Sequence, residues 1–337
     1  GIQYARSAFY EGNIAQTIVA SSQRVGGLLT LEDLSEYHAK FEAPASISYR
    51  GYEILGQGPW TQAPVLLQTL KILENYDLKA MGHNSTIYIH TITEALKLAF
   101  GDREAYYGDP DFSDVPLNGL LSSSYAAERL KLIDHKRALL EQTIAGQPER
   151  HTKQPPSQAM PEADITGSCG NHDTNKSGTT HVATADNLGN MACGTISGGA
   201  FNKSVFFPEL GCCLSTRIEM FNNIEGHPNV VKPKKRPRTT LVNYIVLENG
   251  KPTMTFGCPG GDNQAQANLQ LILNVLIFGM NPQEAVEAPR FSSQNVVNSF
   301  FPHVYEPGRL DIEEGISDSI AGELASMGHT IRRVANC

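Results

Sequence analysis

The residues best placed to do chemistry are Thr179 and, two positions on, His181, because of the glycine that precedes them. Gly178 has no side chain to hinder attack on its carbonyl. If the Gly178–Thr179 peptide is cut, Thr179 carries a hydroxyl and a free α-amine on one residue. That amine can serve as the base that activates the hydroxyl, the N-terminal-threonine form of nucleophilic catalysis. A second constellation lies at Gly257, Cys258, Pro259, Gly260, Gly261 and Asp262, at the mouth of an apolar helix expected from about Asn263 to Phe278. Backbone N–H groups at such an entrance are free to face an anion, although a tight strand-to-helix turn uses the same residues.

The elements around these residues follow from local pattern. Residues 176–186 begin as a polar loop and turn into a strand, on which Thr179, His181 and Ala183 share a face. Asn187 to Asn190 is a turn and Met191 to Ile196 a returning strand. Leu241 to Glu248 and Lys251 to Phe256 form a second hairpin around Asn249-Gly250, since both central positions of such a turn need positive φ. Upstream, Asn13 to Ser22 has helical periodicity, and Thr30 caps a short helix through Asp33 to Tyr37. Ile47 to Leu55 alternates as strands, with Arg50-Gly51-Tyr52 in the middle. Pro64 opens a helix through Tyr76 that is apolar on nearly every side and therefore buried. Ser85 or Asn84 caps another, with Tyr88, Ile92, Ala95, Leu96 and Ala99 on its core face. Arg103 is read as a structural ion pair with Asp102 and Asp109. From Leu140 to Gly178 polar residues dominate, which reads as a mobile linker ahead of Thr179.

Composition bounds the rest. A chain of 337 residues with 18% charged residues and a net charge of −8 argues against nucleic acid as a partner. No apolar run approaches the roughly 18 residues of a membrane span. The first residues lack a signal-peptide pattern, so the expected location is cytoplasmic. The six cysteines suggest neither a disulfide framework nor a metal site; Cys169 and His172 offer half of one without a second half. The basic run Lys232 to Arg238 is more simply a loop than a polyanion site in so acidic a chain. His303 and His329 are read as structural.

Thr179-Thr180-His181 followed by Asp186 and Gly189-Asn190 resembles the start of the small subunit in the gamma-glutamyltransferase family. These are N-terminal-nucleophile hydrolases that cut themselves before the first of two threonines. Further matches run in the family's order from Phe9 to about Gly328: Phe9-Tyr10 with Gly12, Gly26-Gly27-Leu28 with Thr30 and Glu32-Asp33-Leu34, Tyr49-Arg50-Gly51-Tyr52, Asp102-Arg103, Tyr107 to Pro110, and Ala288 to Phe291. The match begins inside the family's large subunit and stops before the small subunit's last strands, so the chain looks truncated at both ends.

The resemblance implies an α/β fold, a four-layer α-β-β-α sandwich with mostly antiparallel sheets. It divides the chain into a mainly helical large-subunit-like region at 1–139, a linker at 140–178 ending at the self-cleavage site, and a small-subunit-like catalytic region at 179–337, all intertwined in one domain. It implies that Thr179 is the nucleophile, that Gly260 and Gly261 form the oxyanion hole, and that Ser197 is a supporting hydroxyl. Thr239 and Thr240 stand where the family keeps paired hydroxyls that contact a substrate carboxylate, and Arg217 is grouped with them. Thr180 and His181 support the nucleophile, the α-amine already filling the base role. The expected activity is hydrolysis and transpeptidation of gamma-glutamyl compounds such as glutathione, with no cofactor and no metal. The expected partners are the small-molecule amide and the two fragments of the cut chain, with room for a homodimer.

Three departures accompany the match. The family's asparagine two residues beyond the supporting hydroxyl is Gly199 here. Trp60 and Gln62 replace the commoner residues of a small-residue loop. The acidic residue that holds a glutamyl α-amine is not evident; Glu219 is the nearest candidate and lies out of register. These leave room for an acylase or amidohydrolase acting on another carboxyl-bearing amide, of glutaryl or oxamate type, and for an inactive family fragment.

Overall fold

The computed structural model describes residues 1–141, 144–152, 178–199 and 203–335, which fall into two units. The smaller comprises Gly1–Ala43 and Gly198–Thr216. It packs helices α1 (Ile2–Tyr10), α2 (Asn13–Arg24) and α3 (Leu31–Ser35) on one another and carries the short antiparallel pair β5 (Phe206–Phe207) and β6 (Cys212–Cys213). Thr30 caps α3 as expected: its side chain accepts from Asp33 N, and the Asp33 carboxylate accepts from Thr30 N at 2.8 Å.

The larger unit, Pro44–Ser197 with Arg217–Cys337, holds every residue singled out for chemistry. Its main sheet runs in the order β1 (Ala45–Tyr49), β2 (Tyr52–Gly56), β7 (Tyr244–Glu248) and β8 (Lys251–Phe256), antiparallel throughout. Two turns set this register. Arg50 and Gly51 have φ of +48° and +90°, and Asn249 and Gly250 have +51° and +74°, so both hairpins close on two residues of positive φ. Helix α4 (Ala63–Leu73) is buried at every position and lies against β1 and β2. With α6 (Thr86–Tyr106) and α9 (Asn263–Leu276) it makes the helical layer. Ser85 caps α6 by accepting from Tyr88 N. Short helices α5 (Leu78–Met81), α7 (Leu117–Leu120), α8 (Ser123–Leu130) and α10 (Pro282–Glu287) complete the unit with α11 (Asp318–Ser326).

A second sheet, in the order β11 (Thr330–Val334), β10 (Arg309–Glu313) and β9 (Phe291–Ser293), meets α6 and α9 through β9. The pairing of β10 with β11, connected through α11, is parallel; all the other strand pairings are antiparallel. The hairpin β3 (Thr180–Ala185) and β4 (Met191–Ile196) forms a sheet of its own, with β4 beside β8. Asp186 holds its turn, accepting from Leu188 N and Asn190 N at 2.9 Å each.

The supposed linker is ordered at its start. Residues 144–152 pack on α6 and α8: Gly146 N donates to the Asp102 carboxylate at 2.9 Å, Tyr106 Oη donates to Gly146 O at 2.7 Å, and Arg129 reaches Ile144 O at 2.9 Å. Side chains of α6 and α8 hold the backbone of these residues, while Ala145 packs on the core and Pro148 is buried. The remainder of the linker, 153–177, lies outside the described residues, as do Cys169 and His172.

Candidate active site

Gly178 and Thr179 lead directly into β3 and are half-buried. In the β3–β4 ladder Thr180 faces Ile196 and His181 faces Thr195. Thr179 and Ser197 each lie one residue beyond the paired ends of these strands. The His181 ring is fixed from two sides. Its Nδ1 lies 2.9 Å from Thr195 Oγ1, which is itself 2.8 Å from Val242 O and 2.7 Å from Asn243 Oδ1. Thr195 Oγ1 thus links the ring to Val242 and Asn243, while Nε2 is buried and has no hydrogen-bond partner among the described residues. Burial lowers the histidine's pKa against an opposing hydrogen bond with Asn243, which keeps the ring neutral. On its other side the ring lies on Gly257, where a Cβ would stand 2.6 Å from His181 Cε1. His181 therefore joins β3 to the start of the glycine loop.

Gly260 and Gly261 have φ of +132° and +58°, conformations that glycine adopts without strain. Gly260 O and Gly261 O accept from Asn263 N and Gln264 N, at 3.0 and 3.1 Å, as the loop enters α9. Burial raises the Cys258 thiol to about 11, which leaves it protonated and no rival to a hydroxyl nucleophile.

The expected substrate-binding residues meet this loop through an aromatic ring. Arg217 Nη1 donates to Thr240 Oγ1 at 3.3 Å, and its guanidinium lies 5.7 Å from the centre of the Phe300 ring. A Cβ at Gly261 would stand 3.2 Å from Phe300 Cε2, so the same ring touches both sides. Burial lowers the pKa of Arg217, opposed by the charges of Glu219 and Asp262. Thr239 Oγ1 accepts from Leu241 N at 3.3 Å, and the Thr239 backbone pairs with Trp60 O and Gln62 N at 2.9 and 3.0 Å. Thr180 is exposed at the start of β3.

Arg103 is an ion-pair residue, but with other partners than its sequence neighbours suggest. Fully buried, it hydrogen-bonds the Asp262 carboxylate, Gln62 Oε1 at 3.2 Å and Val297 O at 2.6 Å. Asp102 faces Arg129 at 3.5 Å and Asp109 pairs with Arg236 at 2.8 Å. On a helix the side chain beside Asp102 points to another face, which sequence adjacency does not reveal. The basic run is absorbed by the fold: Lys235 donates to Pro228 O at 2.6 Å, Arg236 lies over Trp60, and Arg238 pairs with Glu104 at 2.8 Å. That pairing holds the Glu104 carboxyl well below the usual range although burial opposes it. His303 hydrogen-bonds Asn298 O and Phe221 O, and His329 meets His90 at 2.9 Å. Glu94, beside that histidine pair, pairs with the buried ammonium of Lys97 at 2.7 Å.

Ser299 and Phe300, adjacent in the chain, escaped the sequence reading as site residues, and Gln62 entered it only as a departure from the family's loop. Asp262 was read only as part of the glycine constellation, without its partners.

A profile of the gamma-glutamyltranspeptidase family matches residues 3–336. The chain belongs to that family. A glutathione hydrolase-like proenzyme from Bacillus subtilis, YwrD, is 32% identical over 98% of this chain and 56% of its own length. A glutathione hydrolase proenzyme from Escherichia coli is 32% identical over 96% of this chain and 52% of its own. The chain thus spans about half the length of the curated relatives it matches. A solved cephalosporin acylase from Bacillus halodurans superimposes with a TM-score of 0.79 at 30% identity, over 97% of this chain and 53% of the acylase. The α/β fold with mostly antiparallel sheets is accordingly that of the N-terminal-nucleophile hydrolases, as the motif around Thr179 implies.

Proposed function

We propose that this gamma-glutamyltranspeptidase-family chain is a self-processing, threonine-nucleophile amidohydrolase and acyltransferase acting on gamma-glutamyl compounds such as glutathione. The observation that carries the reading is the Phe300 ring, which touches Gly261 of the presumed anion loop and Arg217 of the carboxylate-binding group. Substrate anchoring and transition-state stabilisation then fall on adjoining surfaces.

On this reading the Gly178–Thr179 bond is cut first, freeing the Thr179 α-amine. Thr179 Oγ1 attacks the substrate amide carbonyl while the α-amine takes its proton. The Gly260 and Gly261 N–H groups hold the oxyanion, and Ser197 hydrogen-bonds the nucleophile. Collapse of the tetrahedral intermediate sends the proton to the departing amine and leaves an acyl ester on Thr179. Water or an acceptor amine then attacks that ester and releases the acyl group. Thr239, Thr240 and Arg217 hold the substrate carboxylate. These steps need only a hydroxyl, an amine and backbone donors. Thr179→Ala should run as one uncut chain on a denaturing gel and show no turnover; an active Thr179→Ala protein refutes the mechanism.

A second reading keeps the chemistry and changes the acyl group. The cation and hydroxyls near Gly261 suit any terminal carboxylate, whereas the α-amine of a glutamyl group needs an anion; Glu219 and Asp262 are the carboxylates that act on Arg217, and Asp262 is already paired with Arg103. A cephalosporin acylase shares the fold, so a glutaryl-type amide is the natural competitor. Relative kcat/KM on a gamma-glutamyl anilide and a glutaryl anilide separates the two.

A further inference from the structure

We propose that Gln62 is a positioning residue for this reaction, a side chain that bonds directly to both the anion-binding loop and the hydroxyl pair and sets one against the other. The inference rests on the roles proposed above for Gly260, Gly261 and Thr240. Gln62 is 1% exposed and stands where α4 begins. Its Nε2 donates to Gly261 O at 2.8 Å and to Thr240 O at 2.9 Å. Both protons of one carboxamide are thereby spent on two loops that lie 21 residues apart in sequence. Its Oε1 accepts from Arg103 Nη1 at 3.2 Å.

Arg103 in turn closes the circuit. It pairs with Asp262, whose carboxylate also accepts from Ser299 N at 2.7 Å and from Ser299 Oγ at 2.6 Å. The peptide that follows the Gly260–Gly261 pair is therefore held at its carbonyl by Gln62 and at its side chain by Arg103. A peptide plane held at its carbonyl fixes the Asp262 N–H within it and restrains ψ of Gly261, the torsion that links it to the Gly260–Gly261 peptide. The next residue on α6, Glu104, takes Arg238 at 2.8 Å, immediately before Thr239 and Thr240. One helix end thus grips both loops, and Gln62 sets the distance between them. A carboxamide suits this task because it offers two donors and an acceptor without adding charge beside Arg103 and Asp262.

The test uses the full chain with Gln62→Met and Gln62→Glu. The first keeps the volume and removes both donors. The second keeps the acceptor for Arg103, so it serves if the methionine variant folds poorly. Processed fraction, melting temperature and active-site-titrated kcat and KM are measured on the better of the two anilides, with Thr179→Ala alongside. Misplacement of oxyanion donors by about 1 Å costs on the order of 100-fold in rate. The expected result is a 10- to 100-fold lower kcat per titrated site, on the order of a partial loss of those donors, with KM rising less. A purely structural role predicts lower melting temperature or yield with kcat per titrated site unchanged, and that outcome overturns the inference. Wild-type kcat in the glutamine variants with an inert Thr179→Ala removes Gln62 alone, whereas an active Thr179→Ala removes the underlying reaction.

Discussion

Gly261→Ala separates the two uses a glycine can have at position 261. Its φ of +58° lies in the left-handed region, where an alanine costs about 1–2 kcal/mol. The new Cβ would stand 3.2 Å from Phe300 Cε2, a contact the ring can relieve by shifting a few tenths of an ångström. Together these predict about 1–2 kcal/mol of lost stability, and in a chain of this size a melting temperature lower by about 1–3 °C. If 261 were only a turn, that would be the whole effect. If its N–H receives the oxyanion, moving it should lower kcat by about 100- to 1000-fold, since one such donor contributes about 3 kcal/mol to the barrier. The rate effect therefore exceeds the stability effect and is read independently of it. The assay is thermal melting and active-site-titrated turnover on the same preparation, after a gel has measured processing. A melting temperature lowered as predicted with kcat within about threefold of the parent refutes the oxyanion role and leaves a turn.

Arg217→Met keeps most of the side-chain volume and removes the cation. A hydrogen bond to a charged group contributes about 1.5–3 kcal/mol, so kcat/KM on a carboxylate-bearing anilide should fall by about 10- to 100-fold, mainly through KM. The same substitution should hardly affect an anilide whose acyl chain lacks the carboxylate; an equal loss on both assigns Arg217 to structure. Acid sensitivity should come first from the buried histidine pair. Burial lowers the pKa of His90 and brings that of His329 down to about 3, so the unfolded chain binds protons the native state refuses. Their stability contribution is present above the unfolded pKa of about 6.5 and is lost as pH falls from there toward 3. Urea midpoints at pH 7.5 and pH 5 should therefore differ, and His329→Leu should narrow the difference; an unchanged gap assigns the loss to carboxylates.

Local pattern carried the fold a long way. The two hairpins were legible because Asn249-Gly250 and the Asp186 turn announce themselves, and α4 because no position along it tolerates water. The strand at Thr179 was legible for the same reason, one residue early: β3 starts at Thr180. What the sequence could not show was which charges meet. Arg103 sits beside Asp102 and close to Asp109 in the chain, yet it pairs with a residue 159 positions away. The choice is made by which face of α6 points at the glycine loop, a tertiary fact. Phe300 was illegible for a related reason: one phenylalanine among 13, with nothing local to distinguish a ring in the site from a ring in the core. The packing of residues 144–152 was missed on composition, since the side-chain bonds of Asp102 and Arg129 to that backbone carry no local signal and its apolar contacts, Ala145 and Pro148, are few.

On the proposed mechanism the chain acts on itself before it acts on anything else, and burial is placed accordingly. The glycine loop is tied by fully buried groups, Gln62 at Gly261 O and Arg103 at Asp262. The segment around Gly178–Thr179 has the opposite character: Thr180 and Val182 are exposed and Gly178 and Thr179 half-buried, so little side-chain packing opposes a change of path there. On the proposed mechanism both reactions use the Thr179 hydroxyl, first toward the carbonyl of Gly178 and then toward that of a substrate. The two carbonyls cannot occupy one position while the chain is whole. Rigid donors and a loosely packed nucleophile segment resolve this, because the cut end can move while the donors stay. The reverse arrangement, a locked threonine and a loose glycine loop, would leave the oxyanion without preorganised donors in either reaction, and preorganisation is the larger share of the catalytic effect.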